Sequence, residues 1–234
     1  MPRAVIKRWT MSRIADQMKP ASLLATEEIR RMVQRGVLEP GQRISIDYLA
    51  EMFGISRTPV REAVQRLELE GLVEVIPRIG VLVRAITTDE ARDVYLLKAA
   101  IEPLAARWAA ERSSATATRS LEQIIGRMQD AVRDEDIIGY ADLVEEFHQA
   151  LIEAAGSPGL VGMWSVISGR VHQLRMLNLM QEGRLQSSLL QHRAVAEAVA
   201  SADGDAAEAV MRTHMHDAHE SALRAVAQFA STSD

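Results

Sequence analysis

Cysteine is absent from the 234 residues, which excludes disulfides, thiolate metal sites and a cysteine nucleophile. Aromatic residues are scarce, at 4%, while Ala, Leu, Val, Glu and Arg dominate, a composition that favours helices over strands. No apolar run approaches the ~18 residues a membrane-spanning helix needs. The first twenty residues carry Arg3, Lys7, Arg8, Arg13 and Lys19 without an apolar stretch between them. A secretory signal is therefore not expected, and the chain is expected to be cytoplasmic, with no membrane partner. Also missing are a His-Glu-x-x-His pair, a nucleophile elbow and a glycine-rich phosphate loop, the local arrangements that several large enzyme classes need.

What is present is an ordinary globular composition, 47% hydrophobic and 25% charged, in a chain long enough for one large domain or two modest ones. The net charge of −5 hides an asymmetry. Residues 1–85 hold 14 basic against 10 acidic side chains, and residues 86–234 hold 13 against 22. A basic head on an acidic body suits a protein whose one end meets phosphate.

Residues 1–20 read as a basic leader. Apolar spacing then predicts helices at about 21–35, ended by Gly36, and at 47–53, followed by the break Gly54-Ile55-Ser56. A third helix is expected from about Thr58, with Ser56 or Thr58 as its cap and Pro59 in its first turn. Val60, Ala63, Val64 and Leu67 fall at i, i+3, i+4, i+7 and form its buried stripe. The β-rich runs Leu72–Ile76 and Val81–Ile86, joined through Pro77-Arg78-Ile79-Gly80, read as a hairpin. Residues 21–86 thus read as a winged helix-turn-helix. Residues 87–230 read as an all-helical antiparallel bundle, with helices at about 88–111, 118–133, 137–155, 159–179, 185–202 and 205–229, and residues 231–234 as a tail. The fold class is mostly α with a small β-hairpin wing.

The face of the third helix opposite its buried stripe presents Thr58, Arg61, Glu62 and Gln65, with Arg57 at its entrance. A helix that enters the major groove needs such a face. Arg61 suits a bidentate contact with guanine; Thr58 and the helix-end N–H groups suit phosphate. Arg78, at the hairpin tip, has the reach for phosphate or the minor groove.

The stretch RGVLEPGQRISIDYLAEMFGISRTPVREAVQRLELEGLVEVIPRIGVLV (35–83) resembles the winged-helix signature of the GntR superfamily of transcription regulators, most specifically at SRTPVREAV. The resemblance implies a homodimer on a short palindromic operator in double-stranded DNA. In that reading Arg57, Thr58 and Arg61 contact the DNA, assisted by the wing tip from Arg78 to Gly80, and Gln65 joins them from its place on the exposed face of the helix. In the fatty-acid regulator of this superfamily a further arginine lies early in the second helix. Asp47 stands there in this chain and is expected to cap that helix instead.

The remainder resembles the FCD domain of the FadR branch, through DVYLLKAAIEPLAARWAA (93–110), FHQALIEAAGSPGL (147–160) and QHRAVAEAVASADGDAAEAVMRTHM (191–215). Such domains bind a small effector, often a carboxylate beside a divalent metal. All six histidines (148, 172, 192, 214, 216, 219) lie here. His148, His192 and His214 fall on three different helices and align with the family's ligand histidines, which implies one divalent transition metal per chain, Zn or Ni. The family's fourth ligand, an Asp, is replaced by Val144, and Glu145 is the nearby carboxylate on the same face. Two readings stand: a three-His metal site completed by water, effector or Glu145, or polar core histidines in a metal-free pocket. Lys98, at a position usually Arg in the family, with Arg170 and Arg175, is the candidate set for anchoring an organic acid. Met163, Met176, Met180 and Met211 read as core filler. The expected function is a ligand-responsive regulator, a repressor by family habit. The rivals are a constitutive DNA-binding scaffold and, further off, a metal-dependent hydrolase.

Overall fold

A computed structural model describes residues 20–77, 79–112 and 114–232, except the side chains of 169, 170, 172, 173 and 229–232. Residues 1–19 of the basic leader, Arg78 and the Arg170 side chain lie outside the described residues. The chain divides into two compact units after Ala85.

In the first unit, helices α1 (Ala21–Gln34), α2 (Ile46–Phe53) and α3 (Arg57–Leu69) pack beside strands β1 (Arg43–Ile44), β2 (Val73–Ile76) and β3 (Gly80–Val83). The sheet is antiparallel in the order β1-β3-β2. β2 and β3 form the expected hairpin, although β3 ends at Val83 rather than Ile86. β1 was not expected, because two residues are too few for alternation to register. It forms by pairing Ile44 with Val81 and Arg43 with Leu82. Gly80 permits that approach: at φ 119° a Cβ here would lie 2.9 Å from the Ile44 carbonyl oxygen, so only glycine fits.

Apart from Ser22 and Thr26, the described core of this unit is apolar. Leu24, Ile29, Met32, Leu49, Phe53, Val60, Val64, Leu67, Val73 and Val83 are buried together, each large side chain contributing about 1.5–3 kcal/mol. Ser45, not Asp47, caps α2. Ser45 is extended (φ −97°, ψ 148°), and its side chain accepts a hydrogen bond from the Tyr48 N–H. Asp47 therefore sits within the first helical turn, and its carboxylate pairs with Arg57 at 2.7 Å. Ser56 is the cap residue of α3 by position, which places Thr58 inside the helix.

The second unit is all-helical: α4 (Thr88–Glu111), α5 (Ala115–Arg133), α6 (Ile137–Ala154), α7 (Pro158–Leu179), α8 (Arg184–Ala200) and α9 (Gly204–Thr232). α4 spans the expected range, and Thr87, just before it, is its cap residue, closing a capping box with Glu90. α5 begins three residues earlier than expected, since Ser114 accepts a hydrogen bond from the Ala117 N–H and starts the helix at Ala115. One cluster joins Leu121, Met128, Tyr140, Phe147, Leu151 and Met211; a second gathers Ile101, Ile152 and Trp164. Of the four methionines expected in the core, Met176 and Met211 are buried, whereas Met163 and Met180 are about half exposed. No helix among the described residues is long and apolar enough to cross a membrane.

Candidate nucleic-acid interface and candidate metal centre

The two faces of α3 differ as its sequence requires. Val60, Ala63, Val64 and Leu67 are buried, and Arg57, Thr58, Arg61, Glu62 and Gln65 are exposed. Thr58, Arg61 and Gln65 fall on one stripe at i, i+3, i+7. Arg57 is engaged by Asp47, so its guanidinium is held at the mouth of the helix pair. Gly80 has a structural duty at the β1–β3 contact. A bidentate pair between Arg30 and Glu70, at 2.9 and 2.6 Å, ties α1 to the end of α3.

In the bundle, His148 from α6, His192 from α8 and His214 from α9 come together, with one ring nitrogen of each within 4.8 Å of the others. All three are buried. Their outer nitrogens meet acceptors. His192 Nδ1 lies 2.7 Å from the Ser188 carbonyl oxygen, which can only accept, so the proton is on Nδ1 and Nε2 keeps its lone pair. His148 Nδ1 lies 2.6 Å from a carboxylate oxygen of Glu102, which has the same consequence. His214 Nδ1 lies 3.1 Å from Gln191 Oε1, and the orientation of that amide is set because its Nε2 donates to Asp217 at 2.8 Å. Three Nε2 lone pairs are thereby left for the interior.

His148 Nε2 and His192 Nε2 stand 3.3 Å apart. Two lone pairs at that distance repel unless a cation or a proton lies between them. A tetrahedral ion with Zn–N of about 2.0–2.1 Å separates two ligand nitrogens by about 3.3 Å. The donor set, and the spacing of this pair, fit a divalent transition metal, and the partners on Nδ1 are the kind that orient metal-bound imidazoles. Burial first, then the neighbouring imidazoles, hold His192 and His214 well below their ordinary value of 6.5. His148 is also lowered by burial, against an upward pull from Glu102. Burial alone would raise Glu102, but His148 and Lys98 outweigh it and leave its carboxyl below the ordinary range. A neutral imidazole is the form that coordinates metal, and burial favours that form at His192 and His214.

Glu145 does not join the cluster. Its carboxylate pairs with Arg175 at 2.8 Å, which draws it away from the histidines, and Val144 lines the cavity in its place. The carboxylate that matters is Glu102. It is fully buried and reaches Nδ1, the far side of His148 from the lone pair, so it orients that ring rather than facing the interior. Lys98 is buried 3.4 Å from Glu102, with its ammonium 5.2 Å from the centre of the Tyr95 ring. Arg175 is buried as well. Both candidate anchors therefore line the cavity, each with a carboxylate beside it. His216 is exposed and His219 stacks on Tyr95 at 5.8 Å, so neither belongs to the triad.

Sequence reasoning missed Glu102, Arg184, Ser188 and Gln191. Glu102 had a usable signal, lying four residues after Lys98 on one face of α4. Ser188 likewise lies one turn before His192. Arg184 follows Gly183 in what reads as a loop, where nothing marks it as buried.

Residues 93–217 match the FCD domain family, and residues 23–83 match the gntR family of bacterial regulatory proteins. An HTH-type transcriptional regulator in an unstable DNA locus of Streptomyces ambofaciens is 31% identical over 193 residues, covering 80% of this chain and 79% of that protein. The HTH-type transcriptional repressor RspR of Escherichia coli is 28% identical over 193 residues, covering 82% and 85%. Among solved structures, E. coli McbR/YncC shares the fold with a TM-score of 0.74 at 20% identity, over 86% of this chain and 95% of that one.

Proposed function

This chain belongs to the gntR family of bacterial regulatory proteins, carries an FCD domain, and is a DNA-binding transcriptional regulator rather than an enzyme, and from that premise we propose how it works. The head reads a short palindromic operator, with Arg61 and Gln65 of α3 at base edges, Arg57 and Thr58 at phosphates, and the wing tip from Arg78 to Gly80 alongside. The bundle senses a small organic acid, and its binding lowers operator affinity, so the protein represses in the ligand's absence. A coupling of about 1–3 kcal/mol, or 5- to 150-fold, is usual for such a link. The protein acts in the cytoplasm, where its operator is.

The observation that carries this reading is the convergence of one ring nitrogen from each of three histidines, on three helices, in a cavity also lined by Lys98 and Arg175. His148, His192 and His214 would hold a divalent ion, which supplies a Lewis-acidic point for a carboxylate oxygen. Lys98 and Arg175 supply positive potential. Glu102 holds the ring of His148 in register.

A homodimer accounts for the outer faces of α4 and α7, where Leu96, Leu97, Met163 and Val166 are exposed. Solvent-facing apolar side chains of this size on adjoining helices mark a protein interface, and a palindrome requires two copies.

The experiment combines elemental analysis with operator binding, using a duplex selected from a random library by the purified protein. About one zinc or nickel per chain, together with an acid that weakens operator binding at least fivefold, is the expected result. His192→Ala should lose both. Operator affinity indifferent to every acid would leave a constitutive DNA-binding scaffold.

A further inference from the structure

Arg57 opens α3 with a carboxylate already beside it. Its Nε lies 2.7 Å from Asp47 Oδ1, and both side chains stay 64% exposed, so a phosphate can approach the pair. The contact joins the two helices of the reading unit, because Asp47 is in the first turn of α2 and Arg57 is the first residue of α3. Arg61, one turn further along α3, has no ion-pair partner among the described residues.

The fold does not require Asp47. Ser45 already caps α2, accepting from the Tyr48 N–H at 3.0 Å, and Leu49, Ala50 and Phe53 form the buried side of that helix. An exposed ion pair adds little to stability. What Asp47 changes is the charge that the mouth of the helix pair offers to DNA. A phosphate arriving there meets a guanidinium whose charge is already matched, with a second negative charge next to it.

Sequence-independent binding comes from neutralised phosphates, each adding about 0.9 to the salt slope. Asp47 therefore weakens one such contact in each head, on any DNA. On the operator it gives something back. There Arg61 and Gln65 fix the register of α3, so the phosphate beside Arg57 stands in one place. A guanidinium already held by its Nε loses less rotamer freedom on meeting it. On random sequence no register is fixed, and the held rotamer returns nothing.

We propose that Asp47 is a specificity-determining residue, which by pairing with Arg57 weakens binding to DNA in general more than binding to the operator. Repulsion built against the wrong partner is one of the two routes to discrimination. The inference rests on the placement of Arg57 at a phosphate.

The test titrates the full chain by fluorescence anisotropy, as wild type, Asp47→Ala, Asp47→Asn and Arg57→Ala. Each is measured against the selected operator duplex and a random duplex of equal length, over a range of salt concentrations. Asp47→Ala should bind the random duplex about 3- to 10-fold more tightly, the size expected for removing a unit charge a few Å from a phosphate in water. Its salt slope should steepen by up to about 0.9 per head, while operator affinity rises no more than about twofold. Asp47→Asn, which removes the charge alone, should show the same gain on the random duplex. Thermal midpoints should stay close to wild type, since the residue is exposed. Random-duplex affinity and salt slope unchanged in both Asp47 variants overturn the proposal. Equal gains on the two duplexes overturn it as well, because Asp47 would then set affinity and not choice. Arg57→Ala should weaken binding to both duplexes and flatten the slope. If it does neither, Arg57 meets no phosphate, and that placement falls together with the proposal.

Discussion

The two units solve opposite burial problems. Among its described residues the head buries two polar side chains, Ser22 and Thr26, and it keeps Arg57, Thr58, Arg61 and Gln65 in water. The bundle buries Lys98, Glu102, His148, Arg175, Asn178, Arg184, Ser188, His192, His214 and Ser221. Reading DNA needs groups that are already solvated and can be handed from water to phosphate and base edges, so the reading face asks nothing of the core. Sensing a small ion needs desolvated groups whose interactions are strong because water is excluded. That costs stability unless each group has a partner. The difference teaches that loss of a surface residue in the head should spare the fold, whereas loss of one pocket residue in the bundle should not.

The largest effect should come from Glu102→Ala. It leaves Lys98 and His148 buried without their carboxylate, and the bundle should lose about 3–5 kcal/mol in denaturant titration. A loss under about 1 kcal/mol would mean that water reaches the site and that the two units differ little in how they bury charge.

Acid should separate the units next. In metal-free protein His192 and His214 are held below 6.5, so below that pH the unfolded chain binds more protons than the folded one. Their contribution is present in full above about pH 6.5 and is lost as the pH falls toward their lowered values. The thermal midpoint of the bundle should therefore drop on going from about pH 7.5 to 5.5, while amide exchange protection in the head holds. Equal losses in both units would put the sensitivity elsewhere.

Arg61→Ala tests the other side of the comparison. Operator affinity should fall by about 1–3 kcal/mol with relaxed preference at one base pair, and stability should stay within about 0.5 kcal/mol. Unchanged affinity removes Arg61 from the reading face. The smallest effect, about 1 kcal/mol in the head alone, is expected for Ser45→Ala, which removes the α2 cap. Asp47→Ala should show less, and the reverse ranking would reinstate Asp47 as the cap.

The head was legible wherever the signal was local. Val60, Ala63, Val64 and Leu67 mark one side of α3 by spacing alone, and the glycines at 36 and 54 end the helices before them. The misreadings there are short-range as well. Ser45 and Asp47 both qualify as caps, and only the extended backbone at Ser45 decides between them. β1 is defined by its partner in β3, which its own two residues cannot announce.

In the bundle the sequence alone determined which helices exist and that His148, His192 and His214 lie on three of them, because helix spacing and capping act over a few residues. It offered Glu145 as a fourth metal ligand and did not single out Glu102 or Arg184. Tertiary structure decided that Glu102 meets Nδ1 of His148, that Glu145 turns to Arg175, and that the three Nε2 atoms converge. Those outcomes depend on how helices far apart in the chain rotate against one another. Each residue's burial and partner follow from that packing, which local periodicity does not encode.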